Sequence, residues 1–167
     1  MTRQLMPTGM SYSERTDQDV AMACYLGLQQ TIDNGDQTTV EQALNGGLAQ
    51  HPVIMMLLAH HERPWVRCSV AQFATLSPVL QQVLLRDGEL RVRQHLAANT
   101  TAPTKLLQEL SGDWDGTVRT GVAGNPVCPL PVLQKLLRDK DPLIASEAAG
   151  NPSLPRATRA MWQLAHS

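Results

Sequence analysis

Three arginines at one fixed interval, Arg67, Arg93 and Arg119, are the first residues here whose type and spacing could do chemistry. Guanidinium groups set in a column can hold phosphates, or an acidic partner, along one side of a molecule. The same residues have a structural use, because Asp87 stands six residues before Arg93 and Asp113 six before Arg119. Such a pair would tether a turn to the helix that follows it, and could bridge to the next unit. Six residues after Asp139 stands Ala145 rather than an arginine, as a structural ladder would have it where no further unit is bonded. The spacing favours the ladder and keeps the phosphate-binding stripe as the alternative.

The other polar groupings are thinner. His60, His61 and Cys68 invite a metal hypothesis, but adjacent histidines diverge by about 100° on a helix and no further ligand falls at metal spacing. Cys68 and Cys128 lie within repeated positions and are expected to be small packed residues rather than nucleophiles. Asp33-Asn34-Gly35-Asp36 begins like a calcium loop, lacks the later acidic ligands and reads as a turn. There is no glycine-rich phosphate loop, no GxSxG and no pair of carboxylates on one helix face. No catalytic residue, cofactor or metal site is therefore expected. Trp114, in the turn SGDWDG, is hard to place in a core. Outward-facing, it is an interaction anchor; folded over its own turn, it is structural.

The elements that must position these residues come from a repeat. A shift of 26 residues aligns Val66, Val92, Val118 and Ile144, and with them Val70, Leu96, Val122 and Ala148. Ala71, Ala97, Ala123 and Ala149 follow at once, then Asn99, Asn125 and Asn151, with Phe73 in the first copy. Ser77, Pro103, Pro129 and Pro155 coincide, as do Leu84, Leu110, Leu136 and Trp162, and no gap is needed across the four copies. A fainter fifth copy precedes them from Val40, with Gly46 and Gly47 near the asparagine position.

Each copy reads as two short helices. Val92, Leu96 and Ala97 make one buried stripe, while Leu106, Leu107 and Leu110 form the apolar face of a second helix. The asparagine ends the first helix, either as a left-handed residue or as a cap for turn amides, and the later proline opens the second. A lining of asparagines along a peptide groove is the less favoured use. A 26-residue unit is tight for two long helices, which suggests a 3-10 segment as one of the pair. The alanine column implies close helix contact. Residues from about Asp17 to Ile32 read as a capping helix and the residues before them as loose, giving residues 1–39 as flexible terminus plus cap. Residues 40–167 then form the repeats, in units of about 40–65, 66–91, 92–117, 118–143 and 144–167.

The run VRxxVAxNPxxPxxVLxxLLxD resembles the leucine-rich repeat variant family, close in logic to HEAT-like helical repeats, over roughly three quarters of the chain. The resemblance implies an all-α fold, a right-handed α-solenoid in which α- and 3-10 helices alternate. Some members carry a cysteine-rich iron–sulfur segment ahead of the repeats. Cluster binding needs about four thiolates, and only Cys24 lies upstream here, so the resemblance is to the repeats without that segment.

Composition agrees. The 167 residues suit one domain, and 43% are hydrophobic with only one Phe, two Tyr and three Trp, so the core must be aliphatic. The net charge of -1 argues against a chain that coats nucleic acid. Residues 40–167 carry 12 Lys+Arg against 10 Asp+Glu, so the repeats themselves are only slightly basic. No apolar run approaches the roughly 20 residues of a membrane span. The N-terminus lacks the apolar stretch of a signal peptide. The three widely spaced cysteines imply no disulfide framework, which makes the cytoplasm the expected location. Together these features suggest a non-catalytic scaffold for an unidentified protein partner, with Arg67, Arg93, Arg119 and Trp114 as candidate binding residues. Nucleic acid bound through the arginine column is the alternative.

Overall fold

The computed structural model describes residues 12–73 and 75–166. Among them the chain is all-helical, with eleven α-helices, one 3-10 turn and no strand. It divides into two compact units between Leu58 and Ala59, which falls inside the interval read from sequence as a first repeat.

The first unit opens with α1 (Tyr12–Asp33), which starts five residues before the expected cap; residues 12–16 hold no proline to stop it. The rest of the expected loose terminus, residues 1–11, lies outside the described residues. A turn at Gly35, φ +74, leads into α2 (Gln37–Asn45), whose N-cap Asp36 accepts from the Thr39 amide at 3.1 Å. That cap is what Asp33–Asp36 builds in place of a calcium loop. Gly47, at φ +116, makes the left-handed bend into the 3-10 turn Leu48–Gln50, a backbone state that penalises any residue with a Cβ. Then comes α3 (Pro52–Ala59). Ile32, Val40, Leu44, Ile54 and Leu58 are buried.

In the second unit helices come in pairs. The first members are α4 (Pro64–Gln72), α6 (Leu90–Ala98), α8 (Gly116–Gly124) and α10 (Pro142–Gly150). The second members are α5 (Pro78–Leu85), α7 (Thr104–Leu110), α9 (Leu130–Leu136) and α11 (Arg156–Ala165). Both members of each pair are α-helical, so the expected alternation with 3-10 helices is not found among the described residues. Seven or eight residues in α5, α7 and α9 suffice for two α turns, and that removes the need for a tighter helix.

The first members pack in order, α4 on α6, α6 on α8 and α8 on α10. The alanine column lies along these contacts and is buried throughout. The approach is close at Gly121, where a Cβ would stand 3.2 Å from Cβ of Ala97. Valines and leucines at the repeated apolar positions, Val92, Leu96, Leu107, Leu110, Val118, Leu133 and Leu136 among them, fill the interior. Pro103, Pro129 and Pro155 stand at the N-caps of α7, α9 and α11, one residue ahead of the expected first helical position. Their fixed φ still pre-sets the helix entry.

Candidate functional site

The three arginines of the column lie at equivalent places near the starts of α4, α6 and α8, and each makes the same set of bonds. Nε and Nη2 of Arg93 donate to Oδ2 and Oδ1 of Asp113 at 2.8 and 3.4 Å, while Nη1 donates to the carbonyl of Asp87 at 2.8 Å. Arg119 repeats this with Asp139 at 2.7 and 3.1 Å and the Asp113 carbonyl at 2.9 Å. Arg67 does so with Asp87 at 2.6 and 3.0 Å and the His61 carbonyl at 2.7 Å. The carboxylate partner is thus the aspartate 20 residues ahead. The aspartate six residues behind, which the sequence suggested, supplies only its backbone oxygen.

The reason lies in the aspartate. Oδ1 of Asp113 also accepts from the Asp115 amide, and Oδ1 of Asp139 from the Asp141 amide. These bonds turn each carboxylate toward the preceding first-member helix. The fork-to-fork pairing is the strong form of the arginine–carboxylate contact. Its hydrogen bond to Arg119 holds the Asp139 carboxyl below its ordinary value of 3.8. Donating these bonds to Asp139 and Asp87 raises Arg119 and Arg67. Arg93 is only 4% exposed and Arg119 is also buried, so neither presents an open guanidinium to a ligand. Arg67 is the most open of the three, with a side chain 16% exposed.

At the other end of these helices is a second set of bonds, in which the asparagines cap turn amides as the sequence suggested and also reach the preceding helix, which it did not reveal. Asn125 is 2% exposed, and its Nδ2 donates to the carbonyls of Ala97 at 2.7 Å and Asn99 at 3.0 Å. Its Oδ1 accepts from the Val127 amide at 3.0 Å. Asn99 and Asn151 do the same one step to either side. The asparagine backbones are extended rather than left-handed, with φ between -59 and -67. The residue is there for its amide, which closes the end of the preceding helix as well as its own turn. Arg159 takes this role after Asn151, donating from Nη2 to its carbonyl at 2.7 Å.

Trp114 stands apart from these interior sets. The residue is 76% exposed, and its ring lies over the guanidinium carbon of Arg93, 5.1 Å from the ring centroid. Its backbone carbonyl accepts from Nη1 of Arg119 at 3.3 Å. The indole is therefore both outward-facing and seated on a fixed cation, which merges the two readings left open by the sequence. Leu143, in the first turn of α10, is also largely exposed.

The histidine–cysteine cluster does not converge on a metal geometry. Nδ1 of His61 accepts from the Arg63 amide at 3.1 Å. Among the described residues, no three His, Cys, Asp or Glu side chains gather in a way that could hold a metal ion. Cys68 and Cys128 are buried, and desolvation raises both thiols, Cys128 to about 11. They are protonated at neutral pH and poor nucleophiles. Among the described residues no helix is long and apolar enough to cross a membrane. Comparison of the chain with protein-family models, with curated proteins and with solved structures returned no match.

Proposed function

We propose that this chain is a non-catalytic scaffold for protein binding, a right-handed α-solenoid of 26-residue repeats working in the cytoplasm. The fold reading rests on helix starts at Pro64, Leu90, Gly116 and Pro142, 26 residues apart, and on bonds that recur in the same register. A stack of that kind offers an extended surface of fixed shape. The resemblance to the leucine-rich repeat variant family belongs to this reading.

The observation that carries the binding role is Trp114 on Arg93. An exposed tryptophan loses little side-chain entropy on binding when its ring is already held, and tryptophan is enriched where interfaces draw most of their energy. The nucleic-acid alternative has less support, because Arg93 and Arg119 are enclosed by carboxylates and backbone oxygens.

The test is a pull-down from native lysate with the wild-type chain and with Trp114→Ala, each with and without nuclease. The reading expects a discrete protein that survives nuclease, tolerates salt and is lost with Trp114→Ala. Capture that disappears with nuclease, falls steeply with salt and ignores Trp114 would replace it with nucleic-acid binding.

A further inference from the structure

The arginine–aspartate rungs join residues 67 to 87, 93 to 113 and 119 to 139, and the next rung in the same register would join 145 to 165. Those positions hold Ala145 and Ala165. Where the first rung stands, Arg67 lines a cleft of about 580 Å³. Where the fourth would stand, Ala145 and Ala165 line a groove of about 1440 Å³ between α9, α10 and α11. Two short side chains have replaced two long ones, and the space that a rung occupies elsewhere is open.

The groove has a definite chemistry. Leu137, Met161 and Trp162 give it apolar walls, and the Trp162 ring is fixed by stacking on His166 at 4.3 Å between centroids. Nε1 of Trp162 is buried, so it is the face and edge of the ring that the groove presents. The rim carries Arg138, which is exposed, and the stem of Lys135, whose Nζ donates to Ser111 Oγ at 2.9 Å, whereas the carboxylate of Asp139 is already neutralised by Arg119. The opening is larger than the roughly 300–1,000 Å³ of small-molecule pockets.

We infer that this groove binds a short protein segment in which acidic and large apolar residues alternate, with a carboxylate on Arg138 and apolar side chains on Trp162 and Met161. Charge complementarity selects the acidic partner, and the apolar walls select a peptide over a polynucleotide. The inference rests on the protein-binding reading and gives it a partner chemistry, at a site separate from Trp114.

The test is selection from a phage-displayed library of random peptides against the full chain, followed by fluorescence anisotropy with the selected peptides. Two variants are compared with the wild type. Ala145→Arg with Ala165→Asp installs the missing rung and fills the groove, and Arg138→Glu reverses an exposed rim charge. Circular dichroism and melting check that both fold. The selected peptides are expected to combine Asp or Glu with Leu, Phe or Trp, and to weaken about tenfold or more with each variant. Leu26→Ala, at an exposed position of α1, should bind them as the wild type does. No enrichment, peptides of another composition, or equal binding to the filled groove would overturn the inference. So would an RNA oligonucleotide that binds the wild-type chain and is lost with Arg138→Glu. If the groove fails while Trp114-dependent capture of a protein persists, the scaffold reading stands without it.

Discussion

Arg93 reaches forward to the carboxylate of Asp113 and backward to the carbonyl of Asp87, so one buried guanidinium fastens two successive turns. The next arginine starts from the turn where this one ends. A charge so enclosed is stabilising only while its partner is present.

Truncating one side of that rung should therefore cost far more than removing both. Arg93→Ala is expected to destabilise the second unit by about 3–5 kcal/mol, since it strands the Asp113 carboxylate in a closed site. Arg93→Met with Asp113→Leu should recover most of that loss. Urea unfolding of the singles and the double gives the coupling directly, and additive losses would show that the rung holds little.

The asparagines make a sharper test, because a near-isosteric change reverses their hydrogen bonding. Asn125→Asp places a carboxylate against two carbonyl oxygens that now receive an N–H. The expected loss is about 3 kcal/mol or more near neutral pH, easing as the new carboxyl is protonated. A melting temperature within a degree or so of wild type would remove the clip from the account of stability.

Stability should also fall in acid through Asp139. Its carboxyl is depressed in the folded state, first by the hydrogen bond from Arg119, against an ordinary value of 3.8. A depressed carboxyl contributes in full above the unfolded value and loses that contribution as pH drops through the folded one. The decline is thus expected below about pH 4. Asp139→Asn should be less stable than wild type at neutral pH and show a shallower decline over the same window. Parallel curves for the two proteins would assign the acid sensitivity elsewhere.

Thiol chemistry offers an independent reading of burial. Cys24 is partly exposed, while Cys68 and Cys128 are enclosed and their thiols pushed up by desolvation. A thiol reagent at neutral pH should label one cysteine promptly and the other two only after denaturant is added. Prompt labelling of all three in buffer would mean that the second unit opens readily.

Much of this was legible in the sequence because the repeat is strict. Columns such as Val66 to Ile144 and Ala71 to Ala149 mark which faces are buried, since apolar periodicity follows directly from helix geometry. The partner of each arginine was not legible. Asp87 lies six residues before Arg93 and Asp113 lies 20 after it. Both spacings recur in register, and only the three-dimensional offset between neighbouring helices decides which carboxylate is within reach. The asparagines were legible as caps, since each Oδ1 accepts from the amide two residues on, but the reach of each Nδ2 to carbonyls of the preceding pair was not, for it depends on the same offset. Trp114 gave no signal beyond its place in a turn, and the groove near α11 appears only once Ala145 and Ala165 are seen on one wall.

The direction of the asparagine bonds has a consequence for how the chain is made. Each amide looks back to carbonyls 26 and 28 residues earlier, in backbone that the ribosome has already released. A newly emerged Asn125 can close on the turn at Asn99 without waiting for anything downstream. Closing a chain segment of that length is still far faster than elongation at about 5–20 residues per second, which sets the pace instead. The second unit is thereby suited to assemble during synthesis, one clip after another in the order of translation.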